Sequence, residues 1–178
     1  KVGRPAVFEY KYDGFRMLIS REGKEIKLFT RRLENVTNQF PDVVEAVRKN
    51  VEGVSFMLDS EVVGFDPETK VYKPFEAISQ RIKRKYEIEK LVKQLPVEVN
   101  IFDVVYYNDK SLLNLPFKER RKVIEKIVSP VKSKIRIAEQ IITSDEKEAL
   151  EFYKEALKLG EEGIMVKNIE APYQSGRR

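Results

Sequence analysis

The chain contains neither cysteine nor histidine among its 178 residues. The first absence removes disulfides, thiolate metal sites and cysteine nucleophiles. The second rules out a serine–histidine hydrolase relay within the chain and leaves acid–base work at neutral pH to carboxylates, lysines or a metal-bound water. Long apolar runs are also lacking: no stretch approaches the roughly 20 residues of a membrane span, and no signal-peptide pattern opens the chain. A soluble, cytoplasmic or otherwise intracellular protein is the resulting expectation. Charge, by contrast, is plentiful. Charged residues make up 35% of the chain, with 34 Lys+Arg against 29 Asp+Glu, and the net charge of +5 favours polyanionic partners. Dense lysine and glutamate without cysteine also suits a thermophile. With 42% hydrophobic residues, the length allows one domain with a substantial core.

Periodicity gives an α+β architecture, with mainly antiparallel strands flanked by helices. Strands are predicted over 7–20 and 24–31, joined through Arg21-Glu22-Gly23-Lys24. A helix follows, with Pro41 in its first turn and Val43, Val44, Ala46 and Val47 as its apolar stripe. Residues 56–65 return to strand, placing Asp59 and Glu61 on one face. Two helical pieces fall within 74–95 and carry the basic cluster Arg81, Lys83, Arg84 and Lys85. Such a cluster is either a contact for a nucleic-acid backbone or a solvated face.

The strand over 97–107 is apolar and β-branched enough to be central. Pro116 opens a helix through Val128, and a further strand is expected over 135–142. The spacing of Thr143 and Glu146 predicts a capping box for the last helix, which ends at Gly160 and has Ala149, Leu150, Tyr153, Ala156 and Leu157 as its buried stripe. A strand over 164–169 closes the series.

Chemistry concentrates first in the run FEYKYDGFR at 8–16. Strand alternation puts Glu9, Lys11 and Asp13 on one face and Phe8, Tyr10 and Tyr12 on the other. A lysine is a covalent nucleophile only when deprotonated, so it needs neighbours or burial that favour the amine. Gly14 permits a tight bend or a close approach to a ligand. The same residues also read as an ordinary charged strand edge.

Three further segments follow in order: LFTRRLENVT, FMLDSEVVGFD, and the pair NIFDVVYYND and EEGIMVKN. With the first run they resemble the adenylation domain of ATP-dependent DNA ligases, most closely the archaeal and eukaryotic replicative type, over nearly the whole chain. The resemblance implies the covalent nucleotidyltransferase (ATP-grasp-like DNA ligase) fold, in which two sheets cradle a nucleotide. It also implies ATP and Mg2+ as cofactors and nicked double-stranded DNA as the partner.

In that scheme Lys11 takes AMP from ATP as a phosphoramidate. The AMP passes to the 5′-phosphate at a nick, and attack by the 3′-hydroxyl then seals the strand. The resemblance makes Glu9 the acceptor for the adenine amino group, with a cross-strand ion pair as its alternative reading. Arg16 is implied on the ribose and phosphate side and Arg31 on AMP and the nick phosphate. Glu61 faces ribose or metal, and Glu162 is the second acidic metal ligand. Phe102 and Met165 sandwich the adenine, unless they are simply buried strand residues. Lys167 reaches a phosphate. Asp13 either assists near the 3′-hydroxyl or stabilises a turn.

The family's last motif, a strand with paired lysines for the α-phosphate, is expected just after APYQSGRR, where the sequence ends. The flanking DNA-encircling and oligonucleotide-binding domains are likewise outside the 178 residues, along with any sliding-clamp contact. The chain therefore reads as a fragment of a larger enzyme. An RNA ligase or a capping guanylyltransferase shares the lysine chemistry, and a non-catalytic nucleic-acid-binding module shares the basic balance. Arg16 argues against the NAD-dependent ligases.

Overall fold

Two antiparallel sheets meet along a cleft. The structure, a computed structural model, describes residues 2–175. The smaller sheet has the order β8-β1-β9, formed by β1 (Ala6–Lys11), β8 (Gln140–Thr143) and β9 (Gly163–Asn168). The larger has the order β3-β2-β4-β5-β6, formed by β2 (Phe15–Glu22), β3 (Glu25–Thr30), β4 (Ser55–Gly64), β5 (Val97–Tyr107) and β6 (Lys110–Ser111). A short β7 (Ile135–Ile137) adds to β5 in parallel. Among the described residues five α-helices flank the sheets: α1 (Pro41–Asn50), α2 (Ser79–Lys83), α3 (Ile88–Gln94), α4 (Phe117–Ile127) and α5 (Glu146–Lys158).

Alternation along β2 sends Phe15, Met17 and Ile19 into the main core, where they pack with Leu58 and Val62 of β4 and Val99 and Ile101 of β5. Val43, Ala46 and Val47 of α1 and Ile124 and Ile127 of α4 close that core from the helix side. Each of these side chains other than that of Ala46 contributes about 1.5–3 kcal/mol of transfer free energy when fully buried. Under the small sheet, Tyr10 stacks on Phe152 of α5 with ring centroids 4.6 Å apart, and Ala156 completes a second cluster.

Two predicted strands are each broken, and the breaks explain how one chain builds two sheets. The run 7–20 divides at Tyr12-Asp13-Gly14, sending β1 to one sheet and β2 to the other. The run 135–142 divides at Ala138-Glu139, sending β7 and β8 the same two ways. The crossings are tied together, for the Glu139 N–H donates to the Tyr12 hydroxyl at 3.1 Å. Gly14 is required at the first crossing because a Cβ there would lie 2.1 Å from the Val62 carbonyl oxygen. The close approach that the structure shows there is to β4.

The helix ends also differ in detail. Asp145, not Thr143, caps α5, accepting from the Lys147 N–H at 2.8 Å. Thr143 is the last residue of β8, and its hydroxyl bonds the Glu148 side chain. The buried stripe of α5 is narrower than the predicted one and turned from it: Phe152, outside the predicted stripe, and Ala156 are buried, whereas Leu150, Tyr153 and Leu157 are exposed. A three-stranded sheet is too narrow to cover the whole apolar arc of a 13-residue helix. Among the described residues no helix is long and apolar enough to cross a membrane.

Candidate active site

The cleft between the sheets has a volume of about 1330 Å³. Of the residues that the resemblance gives a part in catalysis, nucleotide binding or metal binding, all but Asp13 line it. Lys11 ends β1 opposite Gly163 of β9. The chain there is hooked twice: the Glu162 N–H donates to the Lys11 carbonyl at 3.0 Å, and the Lys11 Nζ lies 3.2 Å from Glu162 Oε2. Both side chains are about half exposed, so the pair sits at the mouth of the cleft.

Two residues earlier on the same face, Glu9 is only 3% exposed. Its Oε2 is held by the Lys167 ammonium at 2.6 Å, while Oε1 is buried without a hydrogen-bond partner. The cross-strand ion pair and the free acceptor are thus both present, one on each oxygen. Burial pushes the Glu9 pKa upward, opposed by the charge and hydrogen bond of Lys167. Lys167 is consequently engaged by a buried carboxylate inside the cleft. Its ammonium stands 4.6 Å from the Phe102 ring centroid and 5.1 Å from that of Phe117. Met165 lies directly across from Glu9 in the sheet.

On the opposite sheet Arg16 pairs with Asp59 through two bonds, Nε to Oδ1 at 2.8 Å and a terminal nitrogen to Oδ2 at 2.5 Å. The same nitrogen donates to the Tyr173 hydroxyl at 2.7 Å, and that hydroxyl donates to Asp59 Oδ2 at 2.9 Å. Glu61, the residue across from Arg16, has its carboxyl pushed up to about 8. Burial is the main cause; the negative charges of Asp59, Glu162 and Asp13 add to it, and Arg16 opposes it. Arg31 follows the end of β3 in a turn closed by the Leu33 N–H on the Thr30 carbonyl. It is exposed and forms no side-chain hydrogen bond or ion pair among the described residues.

Asp13 lies in the break between β1 and β2 and does not line the cleft. Its carboxylate makes no hydrogen bond among the described residues, so it does not stabilise that turn by bonding. The basic cluster at 81–85 also separates. Arg81 is fully buried, with both terminal nitrogens on the Asp42 carboxylate, further bonds to the Gln39 and Leu95 carbonyls, and its guanidinium 4.4 Å over the Phe40 ring. It is structural and is not a contact for a nucleic-acid backbone. Lys83, Arg84 and Lys85 are exposed.

Several residues in the cleft or next to its lining escaped the sequence reading. Asp59 was assigned a face but no partner, and Tyr173 carried no signal within APYQ. Burial and the Asp59 charge push the Tyr173 pKa up to about 12. Glu161 is buried beside Glu162, with its carboxyl pushed up to about 7 by burial and by the charges of Asp13 and Glu162; the doubled glutamate was its only mark. Arg120 of α4 pairs with buried Asp103 and also bonds the Ala171 carbonyl, fastening the segment that presents Tyr173. Gly176, Arg177 and Arg178, the end of the APYQSGRR run, lie outside the described residues.

Among known proteins, the DNA ligase of Nanoarchaeum equitans is 50% identical over 177 residues, covering 99% of this chain and 31% of its own length. That of Methanopyrus kandleri is 43% identical, covering 100% and 32%. The chain thus spans about a third of the length of the curated relatives it matches. Among solved structures, mycobacterial DNA ligase D complexed with ATP and MES superposes with a TM-score of 0.70 at 25% identity, covering 99% of this chain and 53% of that one. The Chlorella virus DNA ligase-adenylate, at 16% identity and a TM-score of 0.63, shares the fold. The family description "ATP dependent DNA ligase domain" matches residues 1–178 throughout. With the two sheets, the cleft and the ordered motifs already in place, these matches mean that the chain belongs to the ATP-dependent DNA ligase domain family.

Proposed function

We propose that the chain is the adenylation domain of a longer ligase and that Lys11 carries AMP between ATP and a DNA nick. The observation that carries this reading is the position of Lys11 at the cleft mouth, on the same strand face as a buried glutamate with a free acceptor oxygen. An ATP whose adenine amino group donates to Glu9 Oε1 would extend its phosphates toward Lys11. The amine form of Lys11 then attacks the α-phosphorus through Nζ. The new N–P bond forms as the P–O bond to the β-phosphate breaks, pyrophosphate leaves, and the nitrogen sheds its extra proton to solvent. AMP passes next to the 5′-phosphate of the nick, and the 3′-hydroxyl displaces it. Each step is a phosphoryl-type transfer, which needs positioning and cations more than covalent assistance from other side chains. Arg31, exposed in the cleft and without a side-chain partner among the described residues, is a cation available to meet a phosphate.

Magnesium fits the donor set. Glu61 and Glu162 both line the cleft, and burial first, with the charges of Asp59, Glu162 and Asp13 adding to it, pushes the Glu61 carboxyl up to about 8, a penalty that a bound cation would relieve. Among the described residues no group of three or more acidic side chains forms a cage, in keeping with an ion that takes most of its ligands from water and substrate phosphates. When bound there, magnesium would supply neutralisation of the phosphate oxygens. Asp13, close enough to Glu61 and Glu161 to raise both their pKa values, belongs to this acidic end rather than to the base pocket. Nicked duplex DNA as partner and an intracellular setting complete the reading.

The test is to incubate the parent ligase with α-labelled ATP, GTP and NAD in turn, and then with nicked duplex. Label should enter the protein from ATP alone and leave it when the nick is supplied. Labelling from NAD alone, or sealing by a protein that never acquires label, would overturn the proposal.

A further inference from the structure

Lys167 has no task in the scheme above. Its side chain is only 16% exposed, and its ammonium is held by two aromatic rings and one oxygen of Glu9. The groups that face Glu9 are Lys167 from β9, Arg121 from α4 and Asp103 from β5, while Tyr12 feels its charge from the crossing between the sheets. Of these, Lys167 alone bonds the carboxylate.

We propose that Lys167 is a positioning residue for base selection: by occupying Oε2 it fixes Glu9 as an acceptor through Oε1, so that the cleft takes a purine with an amino group at the contacting edge and rejects one with a carbonyl. This rests on the reading of the cleft as an ATP site. A carboxylate accepts hydrogen bonds and donates none, whereas a carboxylic acid carries an O–H that a carbonyl can meet. Burial alone drives Glu9 toward the acid, and Lys167 is the largest influence working the other way. Removing the ammonium therefore changes the chemical character of the pocket as well as its shape. With the proton gained, Glu9 would present a donor, and the preferred base would shift from 6-amino to 6-oxo. Arg121 opposes that proton only from a distance, and Asp103 favours it.

The experiment compares the rate of Lys11 nucleotidylation by ATP and by ITP from about pH 5.5 to about pH 8.5 in the parent ligase and in its Lys167→Met, Lys167→Arg and Glu9→Ala variants. The ratio of the two rates is insensitive to the fraction of protein folded, so partial misfolding of a variant does not blur the result. The parent should prefer ATP at every pH. Lys167→Met should lose that preference by about tenfold or more at the acid end and regain part of it as the pH rises and Glu9 ionises. Lys167→Arg should restore the parent ratio. An ATP/ITP ratio in Lys167→Met that parallels the parent at all pH values, with both rates lowered equally, would overturn the assignment of Lys167. Retention of the parent ratio by Glu9→Ala would instead overturn the ATP-site reading on which it rests.

Discussion

Arg16 and Asp59 face each other edge to edge across neighbouring strands, two nitrogens on two oxygens at 2.8 and 2.5 Å, and Tyr173 closes the triangle from 114 residues further along the chain. The aspartate is fully buried, and the arginine keeps about a third of its side chain exposed toward the cleft. One corner of the site thus depends on three distant segments. Asp59→Ala should lower the unfolding free energy by about 2–3 kcal/mol, because it removes the charged partner of a part-buried guanidinium. Tyr173→Phe, which keeps the ring and loses the hydroxyl, should lower it by about 1 kcal/mol. Urea denaturation of both variants checks the order, and equal effects would mean that the ion pair contributes nothing beyond one neutral hydrogen bond.

Gly14 meets the backbone of β4, so its replacement should act on stability before it acts on nucleotide binding. A Cβ 2.1 Å from a carbonyl oxygen forces one of the two strands to move. Gly14→Ala should cost about 1–3 kcal/mol, as overpacking does, and should disturb Glu9 and Lys11 only through that shift. Thermal unfolding measures it; an unchanged midpoint would show that the crossing between the sheets is wider than described.

Arg81 provides a sharp contrast with its neighbours. Arg81→Ala removes one partner of a buried pair and exposes two carbonyls to a void, an expected loss of about 3–5 kcal/mol. Lys85→Ala should leave stability within about 0.5 kcal/mol. If DNA binding by the folded Arg81 variant showed a smaller salt dependence than the parent, the arginine would have to reach phosphate after all.

Glu61 makes stability depend on pH with a definite sign. Its carboxyl titrates at about 8 in the folded chain against an ordinary 4.5, so between those values the folded state holds a proton that the unfolded state has released. The stability that this contributes is fully present below about pH 4.5 and is lost as the pH rises through about 8. Compared without divalent cations, Glu61→Gln and the parent should be alike at the acid end. Above about pH 8 the variant should be more stable by about 1–2 kcal/mol. Denaturation curves at both ends of the range decide it, and a gap that did not widen with pH would contradict the burial of this carboxyl.

Much of this site was legible in the sequence because its residues sit in strands, where alternation fixes the face. Glu9 and Lys11 on one side of β1, and Asp59 and Glu61 on one side of β4, follow from a period of two. The ordered motifs then singled out the ligase family from its RNA-ligase and guanylyltransferase kin, which share the lysine chemistry. What could not be read was any contact made across the two sheets. Strand propensity carries no mark for the point at which a strand leaves one sheet for another, so the breaks at 12–14 and 138–139 were missed. The same limit hid the partners of Arg16, since Asp59 and Tyr173 meet it only after folding. Arg81 was misread for a related reason: a charge run looks solvated unless a distant acid, here Asp42, draws one member inward.

The most direct measurement is the mass of the peptide containing Lys11 after the parent ligase is incubated with ATP and magnesium and digested. One AMP should be found on that lysine, and Lys11→Ala should carry none at any other position. An adduct formed by Lys11→Ala at the parent's yield would contradict the assignment of the nucleophile, and with it the functional map of the cleft.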